Sequence, residues 1–222
     1  MLSMRSPQRG LNIVEIMISL AILGVLIGLG APGFVEWLQN QQIRAAAEAT
    51  LNGLQVARGE AVRRNTPVRF QLVSDLTSSC VLASDSVTAP VSVSWVASLD
   101  DPTGVCDRAT YHDETPPPAV RILQKRTSAE GSPNALATSV FMPSPPAFPV
   151  PQPASTVTFA ALGNVIANAD GTPSIVKIDV TNPNVSPTAM RALRLVVNSG
   201  GSIRMCDPAL AASDTRGCPA FP

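Results

Sequence analysis

The sequence predicts an α+β protein: one long N-terminal α-helix, with a transmembrane half and an amphipathic half, packed on an antiparallel β-sheet head. Three features lead there. Leu11 to Ala31 is an almost unbroken apolar run, the next thirty or so residues keep a helical period, and from Val68 onward short alternating segments lie between turn formers. Across 222 residues, 21 prolines, 14 glycines and few aromatics favour turns around short strands over a helical bundle. At this length one domain plus an appendage is expected.

The apolar run LNIVEIMISLAILGVLIGLGA has about the twenty residues that cross a bilayer as a helix. Arg5 and Arg9 precede it, so the positive-inside tendency keeps the N-terminus cytoplasmic and sends the rest across. A cleaved secretory signal is the first rival, but its apolar region is shorter, free of acid and ends in a small-residue cleavage site. Here the run contains Glu15. An acid inside a membrane helix costs about 2.5–3.5 kcal/mol on insertion scales, so something must compensate for it. Cleavage after Gly10 would give Leu11 a free α-amino group and make Glu15 the fifth residue, able to meet a neighbouring subunit's ammonium. An ordinary single-span protein would instead carry Glu15 protonated or against a partner helix.

Pro32 and Gly33 can kink a helix without ending it. Beyond them Ile43, Ala47, Thr50, Leu54, Ala57 and Ala61 recur at steps of four and three, with Arg44, Glu48, Asn52, Gln55 and Arg63 opposite. This is a narrow seam of mostly small residues, suited to close packing of a sheet. Glu60 can support Arg64 at i, i+4, and Arg58, Arg63 and Arg64 read as a solvated face. After Asn65-Thr66-Pro67 the period becomes two: Val68, Phe70 and Leu72 alternate with Arg69 and Gln71 as in a half-buried strand. Further strands are expected at Val91–Trp95, Ala119–Leu123, Thr156–Phe159, Val176–Val180, Leu193–Val197 and Ile203–Cys206. The stretch 142–153 is so rich in proline that an exposed extended loop is expected.

Cys80, Cys106, Cys206 and Cys218 permit three pairings, which sequence does not separate. Short separations meet most often on collapse, which favours Cys80 with Cys106 and Cys206 with Cys218 in an oxidising compartment. No spacing matches a zinc site. The single histidine, His112, lies among Tyr111, Asp113 and Glu114 on a loop, where a solvated role is expected, and Asp100-Asp101-Pro102 reads as a turn. With no placed base, nucleophile or phosphate loop, an enzyme is not expected, and neither cofactor nor metal is implied. Zero net charge excludes a global field that would gather nucleic acid.

The run Arg9-Gly10-Leu11-Asn12-Ile13-Val14-Glu15-Ile16-Met17 resembles the processing site of type IV pilins and type II secretion pseudopilins. The resemblance implies that prepilin peptidase cuts after Gly10 and methylates Leu11, and that Glu15 assists assembly with other pilins or pseudopilins through the N-terminal helix. Ala57 to Val68 resembles the ARxEAxxRNxPV phrase that closes the helix in the GspH/FimT branch of that family. Implied with it are a leader at 1–10, a transmembrane helix at 11–31, an amphipathic continuation at 32–65 and a periplasmic pilin head at 66–222. The protein would sit in the bacterial inner membrane by a single pass and enter a pilus or pseudopilus. Some FimT-like members are linked to DNA uptake through a C-terminal GRxR phrase. Gly201, Ser202, Ile203 and Arg204 occupy those positions with the first arginine missing, and Arg191, Arg194 and Arg216 are the candidates to compensate. The readings are thus a FimT-like minor pilin, with DNA as a further partner, and alternatively a GspH-like pseudopilin of type II secretion. A plain bitopic periplasmic protein, never cut at Gly10, is the rival outside the family.

Overall fold

The computed structural model describes residues 12–82, 91–141 and 152–219. The chain divides into two compact units, Met1–Leu38 and Gln39–Pro222, and one helix, α1 (Ile13–Arg64), contributes to both. In the first unit the helix is exposed at nearly every described position. Asn12 starts it, its Oδ1 accepting from the Val14 amide at 3.3 Å and its carbonyl from Ile16 at 3.2 Å. Phe34 stacks on Trp37 with ring centroids 5.8 Å apart.

In the second unit α1 is the centre of the core. All six seam residues, Ile43, Ala47, Thr50, Leu54, Ala57 and Ala61, are completely buried, while Arg44, Glu48, Asn52, Gln55 and Arg63 are exposed. Burial extends to Ala46, Ala49 and Gly53, so two sides of the helix are covered where the period alone marked one. Gly53 shows why small residues are needed: a Cβ built there would lie 2.7 Å from the Trp95 ring. The helix ends by a Schellman motif, in which Asn65 at φ 53° donates to Val62 O and Thr66 to Ala61 O, and Pro67 prevents resumption.

Two sheets cover the helix. The first runs β4-β3-β1-β7-β8, with β1 (Val68–Leu72) central between β3 (Trp95–Ser98) and β7 (Thr156–Phe159), and β4 (Ile122–Arg126) and β8 (Val165–Ile166) outside. The second runs β11-β10-β9-β5-β2, from β11 (Ile203–Cys206) through β10 (Leu193–Val197), β9 (Lys177–Thr181) and β5 (Leu136–Phe141) to β2 (Val91–Ser92). All pairings between these strands are antiparallel. Val68, Phe70 and Leu72 face α1 as the alternation requires, with Phe70 5.7 Å from Trp95. Val180, Ile178, Leu195 and Val197 do the same from the second sheet.

Several strands depart from expectation. Val91–Trp95 is not one strand: the chain leaves the second sheet after Ser92 and enters the first at Trp95. Serine hydroxyls satisfy this corner, Ser92 Oγ meeting Ser94 Oγ at 2.7 Å and Ser94 Oγ accepting from the Ser128 amide at 3.0 Å. The strand expected at Ala119–Leu123 begins at Ile122, because the preceding residues are held in a loop with Arg121 clamped by Asp100. β5 has only Leu136, Val140 and Phe141 as large apolar residues and was not expected. Of the proline-rich stretch, Gln152–Pro153 is a short strand, β6, on the edge residues Val140 and Phe141 of β5; positions 142–151 lie outside the described residues. Gln71 is fully buried, so β1 is covered on both faces and is not half-buried.

The two sheets also meet at glycines. Val165 N donates to Ser199 O at 2.8 Å, joining β8 to the β10–β11 turn, and Gly201 approaches Gly163 so closely that an added Cβ would lie 1.7 Å from the Gly163 carbonyl oxygen. Both glycines have positive φ, 77° and 78°, and Arg58 of α1 donates to that same oxygen at 3.0 Å. Gly201→Ala combines a clash with an unfavourable backbone and is expected to destabilise the full-length protein by about 3 kcal/mol. Gly53→Ala, opposed by a ring in place of backbone, should cost roughly 1–3 kcal/mol. Urea denaturation in detergent tests both; a neutral Gly201→Ala would refute the close approach.

Candidate functional site

A filament or membrane protein must expose what it uses for assembly, and the first unit does so. Ile13, Met17, Leu20, Leu23, Leu26 and Ile27 are each more than half exposed. Glu15 is exposed among them and is the only ionisable side chain between Ile13 and Val35. Its backbone carbonyl accepts from Ser19 Oγ at 2.7 Å. Among the described residues no single helix is long and apolar enough to cross a membrane, whereas Ile13–Gly28 and Gly33–Arg64 meet that test when taken together. Gly10 and Leu11 lie outside the described residues.

The second candidate is the outward face of the second sheet. Strand register places Arg194 opposite Cys206 and Val196 opposite Arg204, so Arg194 and Arg204 share the face away from α1. Asp179 on β9 accepts from Arg194 at 2.5 Å and meets Lys177 at 3.1 Å. Arg204 donates to the carbonyls of Thr215 and Gly217 at 2.7 and 3.1 Å, which pins the C-terminal loop over the strand end. That loop is closed by the Cys206–Cys218 disulfide and carries exposed Arg216, whose Nε stands 3.5 Å from Asp214. Arg191 is not on this face: it lies in the connection before β10, its amide donating to Asn40 Oδ1 at 2.9 Å. Register therefore brings Arg194 and Arg204 to one face, and Arg216 lies in the loop that Arg204 pins, beside Arg44, Leu193 and Met205. Pairing partners on β9 and β11, which no local motif encodes, decide this.

The other disulfide joins Cys80 to Cys106, so both bridges are the local ones. Closing loops of this size is worth about 3 kcal/mol each. Cys80 and Cys106 pack with Val73, Val96 and Ile122, sealing a second small core on the outward face of the first sheet. Lys125 supports it by donating to three carbonyls, those of Cys106, Asp107 and Arg108, at 2.8–2.9 Å.

The solvated-face reading of the helix arginines holds for Arg63 only. Arg58 binds Gly163, and Arg64 is mostly buried, joining Glu60 at 2.8 Å, pairing with Asp113 and lying over the Tyr111 ring at 5.5 Å. The Glu60–Arg64 pair is the one expected at i, i+4, whereas sequence could not find the Gly163, Asp113 and Tyr111 contacts because those partners are over forty residues away. His112 is exposed and bonds Thr110 Oγ1 at 2.9 Å. Among the described residues no three His, Cys, Asp or Glu side chains gather as metal ligands do. Asp101 accepts from the Thr103 amide and hydroxyl, as expected of a turn.

A long N-terminal helix with an exposed apolar end, covered in its later half by two antiparallel sheets, is the architecture of pilin-like filament subunits. The chain belongs to the GspH family: the family model described as type II transport protein GspH matches residues 46–201. The match runs from within the buried seam to the Gly201 turn, leaving out the part of α1 before residue 46 and the C-terminal disulfide loop. Comparison with curated proteins and with solved structures finds no match. Family membership makes this a structural subunit of the minor pilin or pseudopilin type, of a class anchored in the inner membrane.

The Asp100–Arg121 pair gives the head a pH signature. Arg121 donates Nε at 2.7 Å, Nη2 at 2.8 Å and its amide at 3.0 Å to the Asp100 carboxylate. These bonds hold the carboxyl below the ordinary range against the opposing effect of burial. A depressed pKa adds stability that is present above the unfolded value, about 4, and is lost as pH falls through the folded value. Asp100→Asn should lower stability at pH 7 and flatten the loss on acidification, as read from melting temperature against pH; an unchanged slope would rule out this pair as a contributor.

Proposed function

We propose that the protein is a FimT-like minor pilin, cut after Gly10 by prepilin peptidase, methylated on Leu11 and incorporated into, or priming, a type IV pilus. The observation that supports this reading is one carboxylate, Glu15, on a helix whose described large apolar side chains are exposed. Lipid can cover Ile, Leu and Met but not a charge, so a partner bearing a cation is needed. The α-amino group of a processed neighbouring subunit supplies one. The C-terminal loop closed by Cys206–Cys218, which lies beyond the family match, favours the pilus by turning Arg204 and Arg216 outward.

A GspH-like pseudopilin of type II secretion is the second reading, favoured by the description of the matching family. The helix chemistry is the same in both, so the machine is distinguished by which process fails on deletion: pilus-dependent movement and DNA uptake, or export of folded proteins. DNA as a partner rests on the shared outward face of Arg194 and Arg204 with Arg216 beside it.

In a host with prepilin peptidase, intact mass and N-terminal sequencing should find a chain starting at methylated Leu11; without the peptidase, an intact leader. Gly10→Ser should block processing, and Glu15→Ala should leave processing intact but abolish incorporation into filaments. An unprocessed chain in both hosts would overturn the reading. If the arginine face contacts DNA, the full-length protein should shift duplex DNA at low salt and lose the shift as salt rises. Arg204→Ala with Arg216→Ala should weaken it; no shift at low salt removes DNA from the function.

A further inference from the structure

The head contains a cavity of about 300 Å³ on the outward face of the first sheet, remote in sequence from the arginine face of the second. Its walls include Thr66, Arg69, Leu99, Arg121, Thr158 and Ile166. Arg69 of β1 stands directly opposite Thr158 of β7 and Ser98 of β3. Its size is at the lower end of the range for ligand pockets.

Arg69 distinguishes this cavity from the other surface hollows. Among the described residues of the head, the lysine and arginine side chains are tied to a carboxylate or a carbonyl, with three exceptions: Arg69, Arg108 and Arg191. Arg108 and Arg191 are exposed and hydrated, whereas Arg69 is half-buried. A guanidinium carries five N–H donors, and withdrawing them from water without an acceptor is costly. Asp100 and Asp170 are its electrostatic neighbours but do not supply that acceptor. Asp100 is engaged three times by Arg121, and Asp170 accepts from the Thr172 amide and hydroxyl at 3.0 and 2.7 Å. On the next rung of the same face, Gln71 Nε2 and Thr156 Oγ1 are buried and also without partners.

We propose that this cavity is a binding site for a carboxylate on a short aliphatic body, held by the Arg69 guanidinium with the Thr66 hydroxyl beside it. A planar guanidinium fork matches a carboxylate through two parallel hydrogen bonds. Leu99, Ile166 and Pro67 give the aliphatic part an apolar wall. Asp100 and Asp170, offset by Arg121 and Arg69, leave little net positive charge at the cavity, so a single carboxylate suits the site better than phosphate or a tricarboxylate. The carboxylate has two sources, a free short-chain organic acid or an Asp or Glu side chain of a neighbouring subunit.

The test uses the full-length protein in detergent, titrated with butyrate and, in parallel, with inorganic phosphate and citrate, read by ligand-observed NMR and melting temperature. Saturable butyrate binding that falls roughly tenfold or more in Arg69→Gln, and is unchanged in Arg204→Gln, is the expected result for a free acid. Among the described residues the Arg69 side chain has charge neighbours but no hydrogen-bond partner, so Arg69→Gln should fold and melt close to the parent without ligand. For a subunit-borne carboxylate, butyrate binding is absent and a photo-crosslinker at position 66 captures another subunit in cells, with capture lost in Arg69→Gln. Neither butyrate binding nor Arg69-dependent capture, or binding of phosphate or citrate in preference to butyrate, overturns the proposal.

Discussion

Two sheets can cover one helix only where the helix carries almost no side chain, and this constraint governs the head. Trp95 lies against Gly53 because no Cβ stands between them, and Ala46, Ala47, Ala57 and Ala61 let strands approach at the same depth. Close approach replaces bulk over much of the seam: Trp95, Phe70, Phe159 and the branched residues of the sheets supply most of the large buried side chains, and the helix adds Ile43 and Leu54. The same economy recurs where the sheets meet. Gly163 and Gly201 bring two turns to contact distance, and the helix reaches that junction with a single long side chain, Arg58. Helix, first sheet and second sheet are thereby fastened at one carbonyl oxygen.

Charges in this protein mostly fasten loops. Arg58 holds a hairpin turn, Arg64 holds the Tyr111–Asp113 loop, Lys125 holds the end of the first disulfide loop, Arg121 holds Asp100, and Arg204 holds the second disulfide loop. A head with many prolines and short strands has long connections and few ladder bonds to anchor them. Cations donating to backbone carbonyls satisfy groups that the strands leave unpaired. Zero net charge agrees with this use, because most described cations are matched within the chain and little is left to form a field.

Much of the architecture was legible because it is written in local periods. The seam from Ile43 to Ala61, the strand from Val68 to Leu72 and the strands at Thr156, Leu193 and Ile203 follow from spacing alone. What escaped depends on partners distant in sequence. The chain crosses between sheets at Val93-Ser94 inside what looks like one alternating strand, and only pairing with β1 and β5 separates the two halves. β5 has a weak pattern of its own and is a strand because β9 and β2 flank it. Arg194 and Arg204 are ten residues apart and become neighbours through register, and Arg69 reads as an ordinary outward strand residue until its missing partner is seen.

The first unit obeys opposite rules, and the contrast bears on function. In the head, most large apolar side chains are buried and most cations are matched within the chain. From Ile13 to Val35 the described large apolar side chains are exposed, and Glu15 is the acid that stands among them. A folded chain that buried its own apolar surface would have no reason to leave this helix exposed, and lipid alone would not select a carboxylate within an apolar run. Packing among related helices, as the proposed function has it, would account for both: apolar flanks give area without direction, and an acid that meets a neighbouring amine gives an offset. The division of labour then follows from physics, with a head stabilised by itself and a helix that is completed only by other subunits.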